Sequence, residues 1–313
     1  MIMPSVKDAS AKFEDIMKKI NIDKRYITSV VYVVVLVLLL VLKKFVPVWG
    51  ALGFDALFCA ISIIGCIEFF NAVKVVPFQQ RVVTVSRCAL MIPMFILFEM
   101  IGFGGYIPVA VIFGLYALIL VLFGIISLNG SNLKTTLLSL CAAVYCGILS
   151  CIFVAVNHLS VNSSPLILLM FLIVMLTDSF AYVFGKLFHR WVPYKLAPKI
   201  SPNKTIIGGL GGVIGGMLAG VITYYLWFAM TSNVNDTLIY SLKIPAAVTF
   251  MLIGFVGAIL GQAGDLVESY LKRRCDIKDS GKILPGHGGV LDRFDSMLFV
   301  GVLVFASSFI LVL

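Results

Sequence analysis

Long unbroken runs of apolar residues dominate the chain, and short polar stretches separate them. Nine runs read as membrane spans, at about 27–48, 52–73, 87–104, 106–127, 134–156, 165–187, 206–230, 244–264 and 290–313. Each is close to the roughly 20 residues that a helix needs to cross some 30 Å of hydrocarbon. A helix satisfies its own backbone hydrogen bonds, which lipid cannot do, so the pattern predicts an all-α, polytopic integral membrane protein with about nine transmembrane helices. Residues 1–26 break the pattern, being amphipathic and charged. They predict a cytoplasmic interfacial helix or tail rather than a signal peptide.

Composition strengthens this reading. Of the 313 residues, 61% are hydrophobic and only 12% charged, against about 25% charged in soluble domains; the mean hydropathy is +1.08. Charge then orients the chain. With the N-terminus on the cytoplasmic side, 21 of the 24 lysines and arginines fall in cytoplasmic segments, leaving only Lys43, Lys44 and Lys243 outside. That asymmetry is the positive-inside pattern, and with nine spans it places the C-terminus outside. The net charge of +9 describes a cytoplasmic face suited to anionic headgroups and anionic substrates, and nucleic acid is not needed to explain it. Seven cysteines without a CxxC pair read as small buried hydrophobes, and metal binding by cysteine or histidine is unsupported.

The chain divides by character into the segment 1–26, the spans of 27–160, which suit packing or dimerisation, and a region 161–313 in which acidic residues and glycines enter the spans. Before residue 160 only Asp55, Glu68 and Glu99 interrupt the apolar runs, so the chemistry is expected in the second half. Gly208, Gly212, Gly216 and Gly220, spaced by four with Gly211 and Gly215 alongside, predict a flat helix face for close packing rather than a phosphate loop.

Asp178, in "MLTDSFAYVFGK", either faces a polar site or marks a helix end reaching water, since an ionised carboxylate in hydrocarbon is costly. Asp265 raises the same issue, with Glu268 and Ser269 on one helix face with it. Asp292 and Asp295 form a further pair, three apart, where the last span begins. Such oxygen ligands suit Mg²⁺, which takes one or two carboxylates and completes its shell with water and phosphates. Opposite them stand the basic segments "SPNKT" (Ser201 to Thr205), "LKRR" (Leu271 to Arg274) and "IKDSGK" (Ile277 to Lys282). Carboxylates for a metal beside cations for phosphates is what phosphoryl or nucleotidyl transfer requires. In "LPGHGG" the glycines 286, 288 and 289 allow close backbone approach, while His287 is either a base or a hydrogen-bonding, structural residue.

"SYLKRRCDIKDSGKILPGHGGVLDRFD", Ser269 to Asp295, resembles the signature of the phosphatidate cytidylyltransferases, or CDP-diacylglycerol synthases: Ser, Lys-Arg, Lys-Asp, Pro-x-His-Gly-Gly and Asp-Arg-x-Asp at matching spacing. "TDSFAYVFGK", "SPNKT" and "GQAGDLVES" resemble further segments of that family, so the detailed likeness runs from Leu176 to Asp295. One departure is Ile206-Ile207 after Lys-Thr, where many members carry an acidic residue. The resemblance implies an enzyme that condenses CTP with phosphatidic acid to CDP-diacylglycerol and pyrophosphate, with Mg²⁺, a K⁺ ion, and a homodimer in the cell membrane. It also implies Asp265 and Asp292 as metal ligands, joined in the wider acidic set by Asp178, Glu268 and Asp295. Lys204, Lys272 and Arg273 would be catalytic, and Ser201, Thr205, Lys278, His287, Gly288, Gly289 and Arg293 would complete the substrate-binding set. A transporter or channel with intramembrane carboxylates and a CDP-alcohol phosphotransferase are the alternative readings; against the first stands the clustering of polar groups at one face, and against the second the lack of several aspartates, with glycines between them, along one continuous motif.

Overall fold

The computed structural model describes residues 31–312 apart from 32, 103, 127–131, 160–162, 189, 193, 231–237, 240–243 and 282–287. The segment 1–26, Lys243, Lys282 and His287 lie outside the described residues. A helix occupies most of each of the nine apolar runs: residues 33–45, then α1 (Pro47–Val73), α2 (Phe78–Met100), α3 (Tyr106–Ile125), α4 (Leu133–Asn157), α5 (Ser163–Phe188), α6 (Ile206–Met230), α7 (Ala246–Arg274) and α8 (Leu291–Val312). Among the described residues, six of them (α1, α2, α4, α5, the Ile206–Trp227 part of α6, and α7) are long and apolar enough to cross a membrane, and Tyr106–Leu122 of α3 is a shorter apolar stretch. The protein is a multi-pass, helical membrane protein. A small antiparallel hairpin joins α5 to α6, with β1 (Lys195–Ala197) paired to β2 (Ser201–Thr205). The "SPNKT" segment is therefore β2, an ordered strand rather than an irregular loop.

Two helices depart from their expected limits, and polar residues explain both. α2 begins at Phe78, not at 87, because Gln80, Thr84 and Arg87 are buried inside the protein instead of belonging to a loop. Arg87 Nη1 donates to the Ala143 carbonyl (2.6 Å), and its guanidinium lies over the rings of Phe113 and Tyr116, 4.9 and 5.3 Å from their centres. The accepting carbonyl belongs to a π-helical turn, Ala143–Ile148, within α4; a single such turn opens the α-helical ladder to an outside donor. α7 continues past 264 to Arg274, which makes Asp265, Glu268 and Lys272 helical.

The glycines of α6 do what their spacing predicts, on two sides. A Cβ at Gly215 would overlap the Leu176 carbonyl of α5, one at Gly216 would come within 2.6 Å of the Gly254 carbonyl of α7, and one at Gly220 would overlap the Phe250 carbonyl. Removing side chains at these points lets α6 lie flat between α5 and α7, and close dispersion contact supplies the attraction that hydrophobicity cannot supply in lipid. α8 packs against α7, α5, α4 and α1, so one apolar core runs through both halves of the chain. All seven cysteines are free: Cys66, Cys88, Cys146 and Cys151 are buried core residues, Cys59 and Cys275 are half-buried, and Cys141 is exposed.

The acidic residues of the first half are each accounted for. Asp55 accepts from Asn157 Nδ2 (2.8 Å) and pairs with His158 Nε2 (2.8 Å), and Glu99 accepts from the Gly105 amide (2.8 Å). Glu68 belongs to the site.

Candidate functional site

The last helical turns of α7, the start of α8, β2 and the middle of α5 bring the polar residues together. Thr205 ends β2 and caps α6: its Oγ1 accepts from the Gly208 amide at 3.1 Å. That cap fixes the strand-to-helix corner and directs Lys204, whose Nζ lies 2.5 Å from Asp265 Oδ2. Ser269 Oγ donates to the other oxygen of Asp265 (3.2 Å). Asp178 and Asp265, with Lys204, Thr205, Gly208 and Gln262, line a cavity of about 580 Å³. Gly208 and Gly209 form part of its wall.

One turn further along α7 a second cluster forms. Glu268 is buried, with 2% exposure, and accepts from Ser280 Oγ (2.9 Å) while pairing with Lys272 Nζ. Lys272 also pairs with Asp292 Oδ1 at 2.9 Å. Asp292 is held from several sides: it accepts from the amides of Ser280 (3.0 Å) and Gly289 (2.7 Å), and shares the one Ser280 hydroxyl hydrogen with Glu268. Gly288 has φ +88°, a backbone that favours glycine, and a Cβ there would come within 2.7 Å of Asp292 Oδ2. Asp292 is thus the hub that folds the glycine segment back onto α8.

Glu68 is the residue of this cluster that the sequence pattern did not single out. It comes from α1, in the half of the chain set aside as scaffold, and is 3% exposed. Its two carboxylate oxygens accept from the Val290 amide (3.1 Å) and the Leu291 amide (2.9 Å), the exposed donors at the N-terminus of α8. A Cβ at Gly281 would overlap the same carboxylate, and one at Gly289 would approach it to 2.6 Å. These two glycines of the signature are there because a buried anion passes against their backbone. No local pattern links residue 68 to residue 290; its lone acidic character in an apolar run was the only signal.

The remaining expected residues distribute unevenly. Asp295 is buried beside the Ser296 amide (2.6 Å) and within electrostatic range of Asp265, Glu268 and Asp178, while Arg293 is within range of Asp178. Arg273 donates to the carbonyls of Ile200 (3.4 Å) and Ile277 (3.3 Å), tying the hairpin to the end of α7. Ser201 opens β2 opposite Ala197, and Lys278 is exposed on the segment after α7. Among the described residues no three carboxylate, histidine or cysteine side chains converge as a self-sufficient metal cage. The donors are oxygens in ones and twos beside lysines, which fits Mg²⁺ completed by phosphates and water and does not fit a zinc site.

Fold and site together define a class: a multi-pass helical membrane protein whose polar signature forms a lysine–carboxylate centre at one end of its helices. Residues 23–311 match the Cytidylyltransferase family, and the chain belongs to that family. It is 40% identical over 182 residues to the phosphatidate cytidylyltransferase of Staphylococcus haemolyticus, a match covering 58% of this chain and 62% of that one. The enzyme of the same name from Bacillus subtilis is 40% identical over 159 residues, 51% of this chain and 53% of that one. The Staphylococcus aureus enzyme is 47% identical over 134 residues, 43% and 45% of the two chains. The matched part thus spans about half to three-fifths of the length of these relatives.

Proposed function

We propose that the protein is a membrane-embedded CTP:phosphatidate cytidylyltransferase that forms CDP-diacylglycerol and releases pyrophosphate. The observation that carries this is the paired centre, Lys204 with Asp265 and Lys272 with Glu268 and Asp292, built from the signature residues in a chain of the cytidylyltransferase family. A phosphate-monoester oxygen of phosphatidate is already anionic at neutral pH and attacks the α-phosphorus of CTP; the bond to the β-phosphate oxygen breaks and pyrophosphate departs. A dedicated base is not needed. The barrier is repulsion between polyanions, so the work of the chain is to hold cations and oriented donors where that charge gathers.

Each lysine ammonium is fixed by a carboxylate from another element, so it meets phosphate without first being ordered. Mg²⁺ carried on Asp265 and Asp292, the ligands that the resemblance implies, would neutralise phosphate charge, with Asp178, Glu268 and Asp295 as the surrounding acidic set. K⁺ as a second cation, a homodimeric assembly, nine spans in the cell membrane, a cytoplasmic N-terminus and catalytic face, and an external C-terminus belong to the same proposal. Purified protein in detergent with labelled CTP, phosphatidate and Mg²⁺ tests it, with CDP-diacylglycerol and pyrophosphate as the readout. Absence of product, with ion flux in liposomes instead, would overturn it in favour of transport.

A further inference from the structure

A second cavity, of about 520 Å³, opens on the other side of the Lys272 cluster, and its walls come from both halves of the chain. α7 contributes Glu268 and Lys272 to it but Gln262 and Asp265 to the first cavity. Residues three apart on a helix lie about 5–6 Å from one another, so the two chambers adjoin at Asp265 and Glu268. Its cations are Lys74 after α1, Lys134 at the start of α4, and Lys272 and Arg274. Lys74 and Lys134 are exposed, and among the described residues neither ammonium has a carboxylate partner. The walls between these cations are apolar: Phe69, Val73, Leu138, Leu271 and Leu291.

The ends of α1 and α7 shape this chamber. Among the described residues, the non-glycine residues with left-handed backbone are Lys74 (φ 60°) and Asp276 (φ 55°), and both line this cavity. Left-handed residues commonly end helices, and these two turn the chain where α1 and α7 stop, held there by the surrounding structure. Arg81 does the holding at Lys74, donating from Nη2 to the Lys74 carbonyl (2.6 Å) and from Nε to that of Val76 (2.7 Å). The turn is clamped in the conformation that turns Lys74 into the chamber.

We infer that this cavity is the seat of a lipid phosphate monoester, with Lys74 and Lys134 from the N-terminal half binding its phosphate and the apolar walls taking the start of its acyl chains. Cations set in aliphatic walls match an amphipathic anion. The first cavity, with Asn203, Thr205 and Gln262 on its wall, offers the hydrogen-bonding groups that a nucleotide needs. The inference rests on the proposed reaction for its substrate class, and assigns the two substrates to adjoining chambers.

Lys74→Asn removes the charge with a residue that tolerates left-handed backbone, and Lys134→Ala does so on a separate element. In the full chain in detergent, with dihexanoyl phosphatidate and CTP varied independently, each variant is expected to raise KM for phosphatidate roughly five- to tenfold, the value of one charge-assisted phosphate contact, with KM for CTP and kcat unchanged. Unchanged phosphatidate KM in both variants, or a matching rise in CTP KM, would overturn the assignment. Calorimetric binding of dihexanoyl phosphatidate, inorganic phosphate and CTP to wild type and both variants separates this inference from the reaction itself. Phosphatidate binding weakened in the variants supports the chamber even if no product forms. Inorganic phosphate binding as tightly as phosphatidate would make it a free-phosphate site, and unaltered phosphatidate binding would end the proposal.

Discussion

Asp265 and Lys204 form an ion pair whose side chains are 32% and 26% exposed, so the pair contributes only about 1 kcal/mol to stability. Asp265→Asn is therefore expected to fold normally while losing about 10² to 10³-fold in turnover, the scale of removing one charge-organising group from a reacting centre. Wild-type turnover in a folded variant would remove Asp265 from the centre. Glu68 is the opposite case, a buried anion capping α8 with two amide donors. Bonds to a charged group are worth about 1.5–3 kcal/mol each, so Glu68→Gln should lower the melting temperature. It should also lower kcat about tenfold at temperatures where the variant is fully folded, because Asp292 stands on the turn that Glu68 holds. A lower melting temperature with unchanged kcat would leave Glu68 a purely structural cap.

At the scale of elements, the glycine face of α6 carries the sharpest expectation. A side chain at Gly220 would collide with the Phe250 backbone of α7, and backbone cannot swing aside as a side chain can. Gly220→Leu should therefore cost about 3 kcal/mol or force α6 and α7 apart, read as a lower melting temperature and loss of activity together. Gly114, with open space around the position of its Cβ, serves as the control: Gly114→Ala should leave both unchanged. The spacing of four made the α6 face readable in advance. Its second side, Gly215 against Leu176 of α5, was not distinguishable from the first, because one sequence period cannot say how many neighbours a helix has. The early start of α2 was missed for a related reason. Arg87 looks like loop until its partners, the Ala143 carbonyl and two aromatic rings, are found across the bundle.

For the whole molecule, the paired lysines and carboxylates leave oxygen donors in ones and twos, so a divalent cation would be shared with substrate and held loosely. Chelation with EDTA is expected to abolish turnover, and added Mg²⁺ to restore it, without a change in the melting temperature. Activity that survives chelation would refute the metal requirement, and unfolding on chelation would point to a structural ion.

The amino-acid sequence by itself determined the membrane class, the helical runs and most of the polar signature, because hydropathy acts residue by residue and the signature is contiguous from Ser269 to Asp295. Tertiary structure alone decided three things: that Glu68 of α1 caps α8, that Arg273 ties the hairpin to the end of α7, and that Lys74 and Lys134 line a chamber beside Lys272. Each depends on contacts between residues far apart in the chain. Sequence spacing within a helix or a loop specifies neighbours on one element, and only packing specifies which elements meet.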